Sequence, residues 1–214
     1  MDGPSGSGKS STARGVAHTL GLRYLDTGAQ FRAMTWWMLQ HGIDIDDPAA
    51  VAAVVDQPVI ESGTDPDHPT ITLDGVEVST QIRSEPVVAA VSAVAAVPEV
   101  RARLLQLQRD IIGTGGIVVE GRDIGSVVWP EAEIRLYVTA DAAARAARRT
   151  AEAGLGDVAA TEADLLRRDA IDSSRATAPL VVPEGAEHLD TTPFTLEEVI
   201  AIVVEKVTRA AGDN

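Results

Sequence analysis

Three features of the sequence predict an α/β fold with a parallel sheet. A glycine-rich segment, residues 3–10, directly precedes a helical pattern of apolar residues at Ala13, Val16, Ala17 and Leu20. The uninterrupted apolar run 117–119 ends at Glu120, which is typical of a strand that is covered on both faces. Strand and helix patterns also alternate along most of the chain. Parallel strands need such an order, because each return crossover takes a helix.

Residues 3–10 read Gly-Pro-Ser-Gly-Ser-Gly-Lys-Ser and match the phosphate-loop pattern G-x-x-x-x-G-K-[ST]. Glycines let the backbone N–H groups approach a polyphosphate closely. In this interpretation Lys9 reaches the β- and γ-phosphates of a nucleoside triphosphate, and the Ser10 hydroxyl binds Mg²⁺ directly. The residues predicted to bind this triphosphate are Gly3, Pro4, Ser5, Gly6, Ser7, Gly8, Lys9, Ser10 and Ser11. The alternative is an ordinary turn, and the helical pattern that follows argues against it.

Composition restricts the partners. The 214 residues suffice for one α/β domain with a small insert. The net charge of −14 argues against a nucleic acid polymer or an acidic membrane surface as partner. There are no cysteines to form disulfides or thiolate metal sites, and the four histidines are dispersed. We therefore expect a cytoplasmic enzyme that acts on small molecules. A monomer is the expected state, although none of these compositional features determines it.

The first half of the chain predicts helices and an inserted hairpin. A short strand, 23–26, precedes a helix from Thr27 to about Gln40, which Asp26 or Thr27 can cap. A short helix is expected at 48–55. Residues 70–78 alternate with period two around Asp74-Gly75, a strong hairpin signal, so an insert is predicted at about 58–82. Further helices are predicted from Glu85 and over 98–112.

Charged residues follow the predicted strand 117–120. Residues 121–125 read Gly-Arg-Asp-Ile-Gly, at the strand end where ligands bind in parallel sheets. Glu120 or Asp123 can orient the magnesium shell through water. The alternative is a turn with a local ion pair.

Two arginine-bearing helices follow the strand predicted at 134–138. Arg145, Arg148 and Arg149 share one face of a helix that begins at Asp141. A mobile loop is expected at 152–160, and Thr161 with Asp164 predicts the start of a second helix, which carries Arg168, Asp172 and Arg175 on one face. Such helices suit a lid over a triphosphate, with Arg145 and Arg148 on ATP, although solvated helix faces would look similar. A last strand, 187–190, and a helix capped by Thr195 and Glu198 complete the chain.

Together these segments resemble bacterial cytidylate kinases. The resemblance is carried by residues 3–10, 25–29, 78–83, 120–125 and 168–180. It implies a nucleoside monophosphate kinase fold, with a five-stranded parallel sheet, a monophosphate-binding region at 27–101 and a lid at 145–175 within one kinase domain, 1–214. The implied reaction transfers the ATP γ-phosphoryl group to CMP or dCMP. Kinases for UMP or AMP, or a regulatory P-loop switch that hydrolyses NTP slowly, stay open as alternatives.

The resemblance also implies roles for single residues. Thr27, Arg32 and Arg122 would contact the acceptor phosphate, with Lys9, Arg122 and Arg168 as the catalytic cations. The cytosine edge would be read by Ser92, Arg101 and Asp123, and the acceptor phosphate and sugar would meet Arg168, Asp172 and Arg175. This chain has Phe31 where the family usually has Tyr, and Ser126 where Thr is common.

Only Met1 and Asp2 precede the phosphate loop, although such a loop follows a buried strand. Loss of four buried aliphatic residues would forfeit on the order of 6 to 12 kcal/mol. We therefore expect a short apolar segment upstream of Met1 in the functional chain.

Overall fold

The computed structural model describes residues 1–153 and 157–212, without the side chains of residues 152 and 153. It divides into two compact units. Met1–Leu22 and Val118–Asn214 make up the first, here called the phosphate-loop unit. Arg23–Ile117 make up the second, here called the hairpin unit.

Helices and strands follow one another in a mixed α/β order. The helices are α1 (Lys9–Leu20), α2 (Thr27–Gln40), α3 (Pro48–Ala52), α4 (Glu85–Val94), α5 (Pro98–Ile112), α6 (Ala142–Ala153), α7 (Val158–Ser174) and α8 (Leu196–Gly212). The strands are β1 (Arg23–Asp26), β2 (Ile60–Ser62), β3 (Ile71–Leu73), β4 (Val76–Glu77), β5 (Ile117–Glu120), β6 (Leu136–Thr139) and β7 (Glu187–Asp190). No helix of the described residues combines the length and the apolar character that crossing a bilayer requires.

Parallel strands position the phosphate loop in its unit. β6 pairs with β7 in parallel, with Leu136 opposite Glu187. The backbone N–H of Asp2 donates to the Leu136 carbonyl at 2.8 Å. On the other side, the amino group of Met1 donates to the Val119 carbonyl at 2.7 Å. Met1 and Asp2 thus lie between β5 and β6, and the loop leaves from the middle of this sheet.

The core of the phosphate-loop unit joins helices to the sheet. The apolar stripe predicted on α1 is confirmed, because Ala13, Val16 and Ala17 are buried. The capping box predicted for α8 is also present, with Thr195 N–H donating to Glu198 at 2.8 Å and Glu198 N–H donating to the Thr195 hydroxyl at 3.3 Å. The core residues packed together are Val16, Leu136, Val138, Leu189, Val199 and Val203.

The hairpin unit contains the predicted hairpin. β2, β3 and β4 form an antiparallel sheet. Asp74 and Gly75, between β3 and β4, have φ angles of 52° and 79°, as the two central residues of a type I′ turn require. The Asp74 carboxylate also accepts from Trp37 Nε1 at 3.0 Å and from Val59 N–H at 2.9 Å. These bonds tie the turn to α2 and to the start of β2.

Some predicted boundaries are wrong. α7 begins at Val158, where Asp157 is the cap and accepts from Ala159 N–H at 2.8 Å, so Thr161 lies inside the helix. Asp157, four residues before Thr161 and extended, accepts from the helix N-terminus equally well, because Asp and Thr can both cap a helix. Of the mobile loop predicted at 152–160, residues 154–156 lie outside the described residues, and 152–153 and 158–160 are helical. α3 and β6 are shorter than expected.

Candidate functional site

Three glycines give the phosphate loop its curved path. Gly3, Gly6 and Gly8 have φ angles of 144°, 76° and 86°, a region that L-residues with side chains rarely adopt. A Cβ on Gly3 would overlap the Val138 carbonyl oxygen. Gly8 is also the N-cap residue of α1, so the loop ends at a helix N-terminus. Such an end favours an anion, because its N–H groups and the helix dipole carry partial positive charge.

Lys9 lies at this helix end and is 4 % exposed. Its Nζ donates to the Pro4 carbonyl at 2.7 Å. Burial lowers the pKa of Lys9 to about 7, and the Arg122 charge adds to this effect, while Glu120 opposes it. A polyphosphate next to the amine would favour the charged form and raise its pKa.

Ser10 and Glu120 form a hydroxyl–carboxylate pair. The Ser10 hydroxyl donates to Glu120 Oε1 at 2.7 Å. The hydroxyl proton faces the carboxylate, so the oxygen lone pairs stay available to a cation. Hydroxyl and carboxylate oxygens are ligands that Mg²⁺ prefers, and this donor set fits the ion. Within residues 1–153 and 157–212 no group of three His, Asp or Glu side chains could hold a metal by itself. The remaining ligands would then come from phosphates and water.

A cluster of arginines and aspartates follows β5. Arg122 Nε donates to Asp172 at 3.0 Å. Arg175 lies 3.6 Å from Asp172 and 3.9 Å from Asp123. The structure thus brings together predicted residues that are far apart in sequence. Asp123 contacts Arg175 here, whereas Glu120 contacts Ser10, which favours Glu120 as the magnesium-side acid.

Arg168 is a buried cation on α7. It is 9 % exposed, and its Nε has no hydrogen-bond partner within the described part of the chain. Burial lowers the pKa of Arg168, the Arg122 charge lowers it further, and Asp172 partly offsets both. Arg168 is therefore close enough to Arg122 and Asp172 for their charges to shift its pKa. A buried guanidinium whose Nε has no hydrogen-bond partner among the described residues suits a phosphate ligand.

The arginines of α6 contact the phosphate loop and the end of the sheet. Arg145 donates to the Ser5 carbonyl at 3.0 Å and to Asp169 at 2.5 Å. Arg148 donates to the Thr191 hydroxyl at 2.9 Å and to the Thr191 carbonyl at 2.8 Å. Arg145 and Arg148, which were predicted for the lid, thus form hydrogen bonds with protein groups.

Ser11, the last residue predicted for the phosphate loop, is exposed on α1.

Sequence reasoning missed Asp2 and Thr191. Asp2 is 1 % exposed, and its carboxylate accepts from Ile124 N–H at 2.5 Å and Gly125 N–H at 2.8 Å. It thereby holds the start of a π-helical turn, Ile124–Val128, directly after Asp123. Such turns are frequent at functional sites. Thr191 follows β7, and the rule that ligands bind at the carboxyl ends of parallel strands could have indicated it.

The other predicted residues belong to the hairpin unit. Thr27 begins α2 and is buried, and Ser92 is buried on α4. Arg32 forms an ion pair with Asp26 at 2.8 Å. Arg101 is buried on α5, donates to the Ala95 carbonyl at 3.0 Å and lies over the Phe31 ring, 5.2 Å from its centroid. Phe31 therefore has a packing role, since a guanidinium is attracted to an aromatic face.

Asp26 is expected to stabilise the hairpin unit in a pH-dependent way. Burial by itself would raise the pKa of Asp26, but Arg32 and the Ala29 N–H outweigh it and hold the pKa below its ordinary value. The stabilisation is present above the unfolded-state pKa of about 4 and is lost as pH falls through the lower folded-state pKa. Asp26→Asn keeps the cap and removes the charge, so it should cost roughly 1 to 3 kcal/mol at pH 7.

Urea unfolding followed by tryptophan fluorescence between pH 7 and pH 3 measures this difference, which should shrink in acid. Asp47→Asn is the matched control, because Asp47 caps α3 in the same unit and is exposed. A loss that is equal at both pH limits would contradict the assigned charge effect.

The fold and the loop geometry define a P-loop nucleotide-binding protein. A sequence model described as cytidylate kinase matches residues 1–209. The chain is 56 % identical to a cytidylate kinase of Streptomyces avermitilis over 209 residues, which cover 97 % of this chain and 90 % of the relative. It is 57 % identical to the Streptomyces coelicolor cytidylate kinase with the same coverage, and 45 % identical to that of Mycobacterium leprae over 99 % of this chain and 96 % of the relative. The chain belongs to the cytidylate kinase family.

Proposed function

We propose that the chain transfers the γ-phosphoryl group of ATP to CMP or dCMP and releases ADP with CDP or dCDP. The observation that carries the proposal is the pairing of Arg122 and Arg175 with Asp172, with the charge of Arg168 close by, in the same unit as the phosphate loop. A protein that only hydrolyses a nucleoside triphosphate has no need of this second anion site. Family membership supports CMP as the acceptor.

The reaction needs little proton chemistry. A phosphate monoester with a second pKa near 6 is already ionised at neutral pH, so no general base is required. An oxygen of the CMP phosphate attacks the γ-phosphorus, and the bond to the β–γ bridging oxygen breaks with its electron pair leaving on ADP. Catalysis is then alignment and charge neutralisation.

Each group near the loop has a role in this scheme. Lys9 neutralises β- and γ-phosphate oxygens, and Arg122 with Arg168 neutralises the transferred group. Ser10 and Glu120 would hold Mg²⁺, which supplies charge neutralisation on the ATP phosphates when bound. Arg145 and Arg148 would bind the ATP side. The buried Nε of Arg145 has no hydrogen-bond partner among the described residues. Arg145 can therefore donate a hydrogen bond to an ATP phosphate.

Three groups of residues are assigned to the acceptor. Thr27 and Arg32 would bind the phosphate of CMP, and Ser92, Arg101 and Asp123 would read the cytosine. Asp172 and Arg175 would complete the phosphate and sugar contacts. The finer architecture is part of the same proposal: a five-stranded parallel sheet, a monophosphate-binding region at 27–101 with its insert at about 58–82, and an arginine-rich lid at 145–175. We also propose that the chain acts as a monomer in the cytoplasm.

A coupled ADP-release assay with CMP, dCMP, UMP, AMP and no acceptor tests the function. We expect kcat/KM for CMP or dCMP to exceed that for UMP and AMP by about tenfold or more, because polar base contacts discriminate strongly. Highest activity with UMP or AMP would make the chain a kinase of a different monophosphate. ADP release that no monophosphate accelerates would indicate the regulatory switch.

A further inference from the structure

Thr191 connects three parts of the phosphate-loop unit. It is 2 % exposed and directly follows β7. Its hydroxyl oxygen lies 3.0 Å from the carbonyl oxygen of Ser7 in the phosphate loop and 3.0 Å from that of Thr139 at the end of β6. Arg148 on α6 donates to the hydroxyl and to the carbonyl of the same residue. A single buried side chain therefore contacts the loop, the sheet and α6.

The hydroxyl proton has a preferred direction. A threonine hydroxyl has one proton and two lone pairs. Because Arg148 donates to this oxygen at 2.9 Å, the proton is available to a carbonyl. The Thr139 carbonyl already accepts the backbone N–H of Thr191 at 2.8 Å. The Ser7 carbonyl is then the acceptor that gains most from the hydroxyl.

Anchoring the Ser7 carbonyl fixes a peptide plane in the loop. The Ser7 carbonyl and the Gly8 N–H belong to one planar trans peptide, so they point in opposite directions. A carbonyl held toward Thr191 directs the Gly8 N–H away from it. Gly8 by itself would rotate readily, since glycine populates many backbone conformations and here has φ 86°.

We propose that Thr191 is a positioning residue for the triphosphate: it orients the Gly8 N–H toward a phosphate oxygen, and Arg148 supports it from α6. Thr191 touches no substrate in this scheme and acts through the Ser7–Gly8 peptide. The inference deepens the proposed function, on which it rests only for the identification of the loop as a triphosphate site.

The test compares Thr191→Val with Thr191→Ser. Valine keeps the shape and removes the hydroxyl, whereas serine keeps the hydroxyl. Calorimetric titration with magnesium tripolyphosphate and with ATP should show about tenfold weaker binding for Thr191→Val, the loss of roughly one hydrogen bond to a charged ligand. Thr191→Ser should stay within about twofold of the parent. KM for CMP should not change in either variant.

Other outcomes overturn the inference. Unchanged tripolyphosphate binding by a folded Thr191→Val would do so, as would equal losses in the valine and serine variants or an equal loss for ATP and CMP. If Thr191→Val does not fold, Thr191→Ala gives the second measurement: it removes the same hydroxyl, should weaken tripolyphosphate in the same direction, and unchanged binding counts against the proposal. A parent protein that binds tripolyphosphate without phosphorylating CMP would overturn the proposed function alone.

Discussion

Replacing Lys9 with Met is expected to lower kcat with CMP by about 10³-fold without unfolding the protein. The buried amine is the cation at the N-terminus of α1, where charge on the β- and γ-phosphates must be neutralised. Met has a similar length and no charge. Burial lowers the pKa of Lys9, so its charged form is costly to bury, and the variant should be at least as stable as the parent.

The chain offers a matched control for this substitution. Lys206 is its other lysine, lies on α8 and donates to the exposed Glu187 at 2.5 Å. Lys206→Met should leave kcat within about twofold, because exposed ion pairs contribute little. ADP release and thermal unfolding measure both variants. Retention of more than a tenth of the parent kcat by Lys9→Met would remove this residue from the catalytic group.

Local patterns made the loop and the hairpin predictable. The path of residues 3–10 depends on the positive φ angles of their glycines, and the hairpin turn depends on those of Asp74 and Gly75. The Thr195–Glu198 capping box lies within four consecutive residues. Such features depend on neighbours in the chain, so sequence alone determines them. The end of β5 was also predictable, since an apolar run terminated by Glu120 indicates a strand edge.

Contacts between distant segments were not predictable. Asp2 is separated by 122 residues from Ile124, whose N–H it accepts, and Thr191 by 184 residues from Ser7. Without the fold, the sequence does not show which distant group a single Asp or Thr will contact, so nothing marks it as a site residue. The predicted start of α7 was wrong for a different reason. Asp157 and Thr161 are both acceptable caps, and capping propensity cannot choose between them.

Among the site residues, local spacing was predictable and contacts between distant segments were not. Their positions on one helix face were predictable for Arg168, Asp172 and Arg175, because helical spacing is local. Their arrangement around Arg122 was not, since it depends on how α7 packs near β5. The resemblance to cytidylate kinases supplied roles that spacing could not, and these roles remain predictions for mutagenesis.

Arg32 is expected to be the main phosphate contact that the hairpin unit makes with the acceptor. It donates to Asp26 through one terminal nitrogen at 2.8 Å, and its buried Nε has no hydrogen-bond partner within the described residues. A buried donor without a partner costs free energy, and a phosphate oxygen would remove that cost. Arg32 therefore combines a fixed orientation with an unused donor.

Arg32→Met should raise KM for CMP by about 100-fold, because roughly two charge-assisted hydrogen bonds are lost, while KM for ATP changes little. Arg103→Met is the control from the same unit, since Arg103 pairs with the exposed Asp56 at 3.5 Å. Initial rates at varied CMP and saturating ATP measure the effect. Because Arg32→Met also leaves Asp26 without its ion pair, Asp26→Asn serves as the second control: it removes the same pair and keeps the guanidinium. If Asp26→Asn raises KM for CMP as much as Arg32→Met does, the ion pair rather than a phosphate contact determines acceptor affinity.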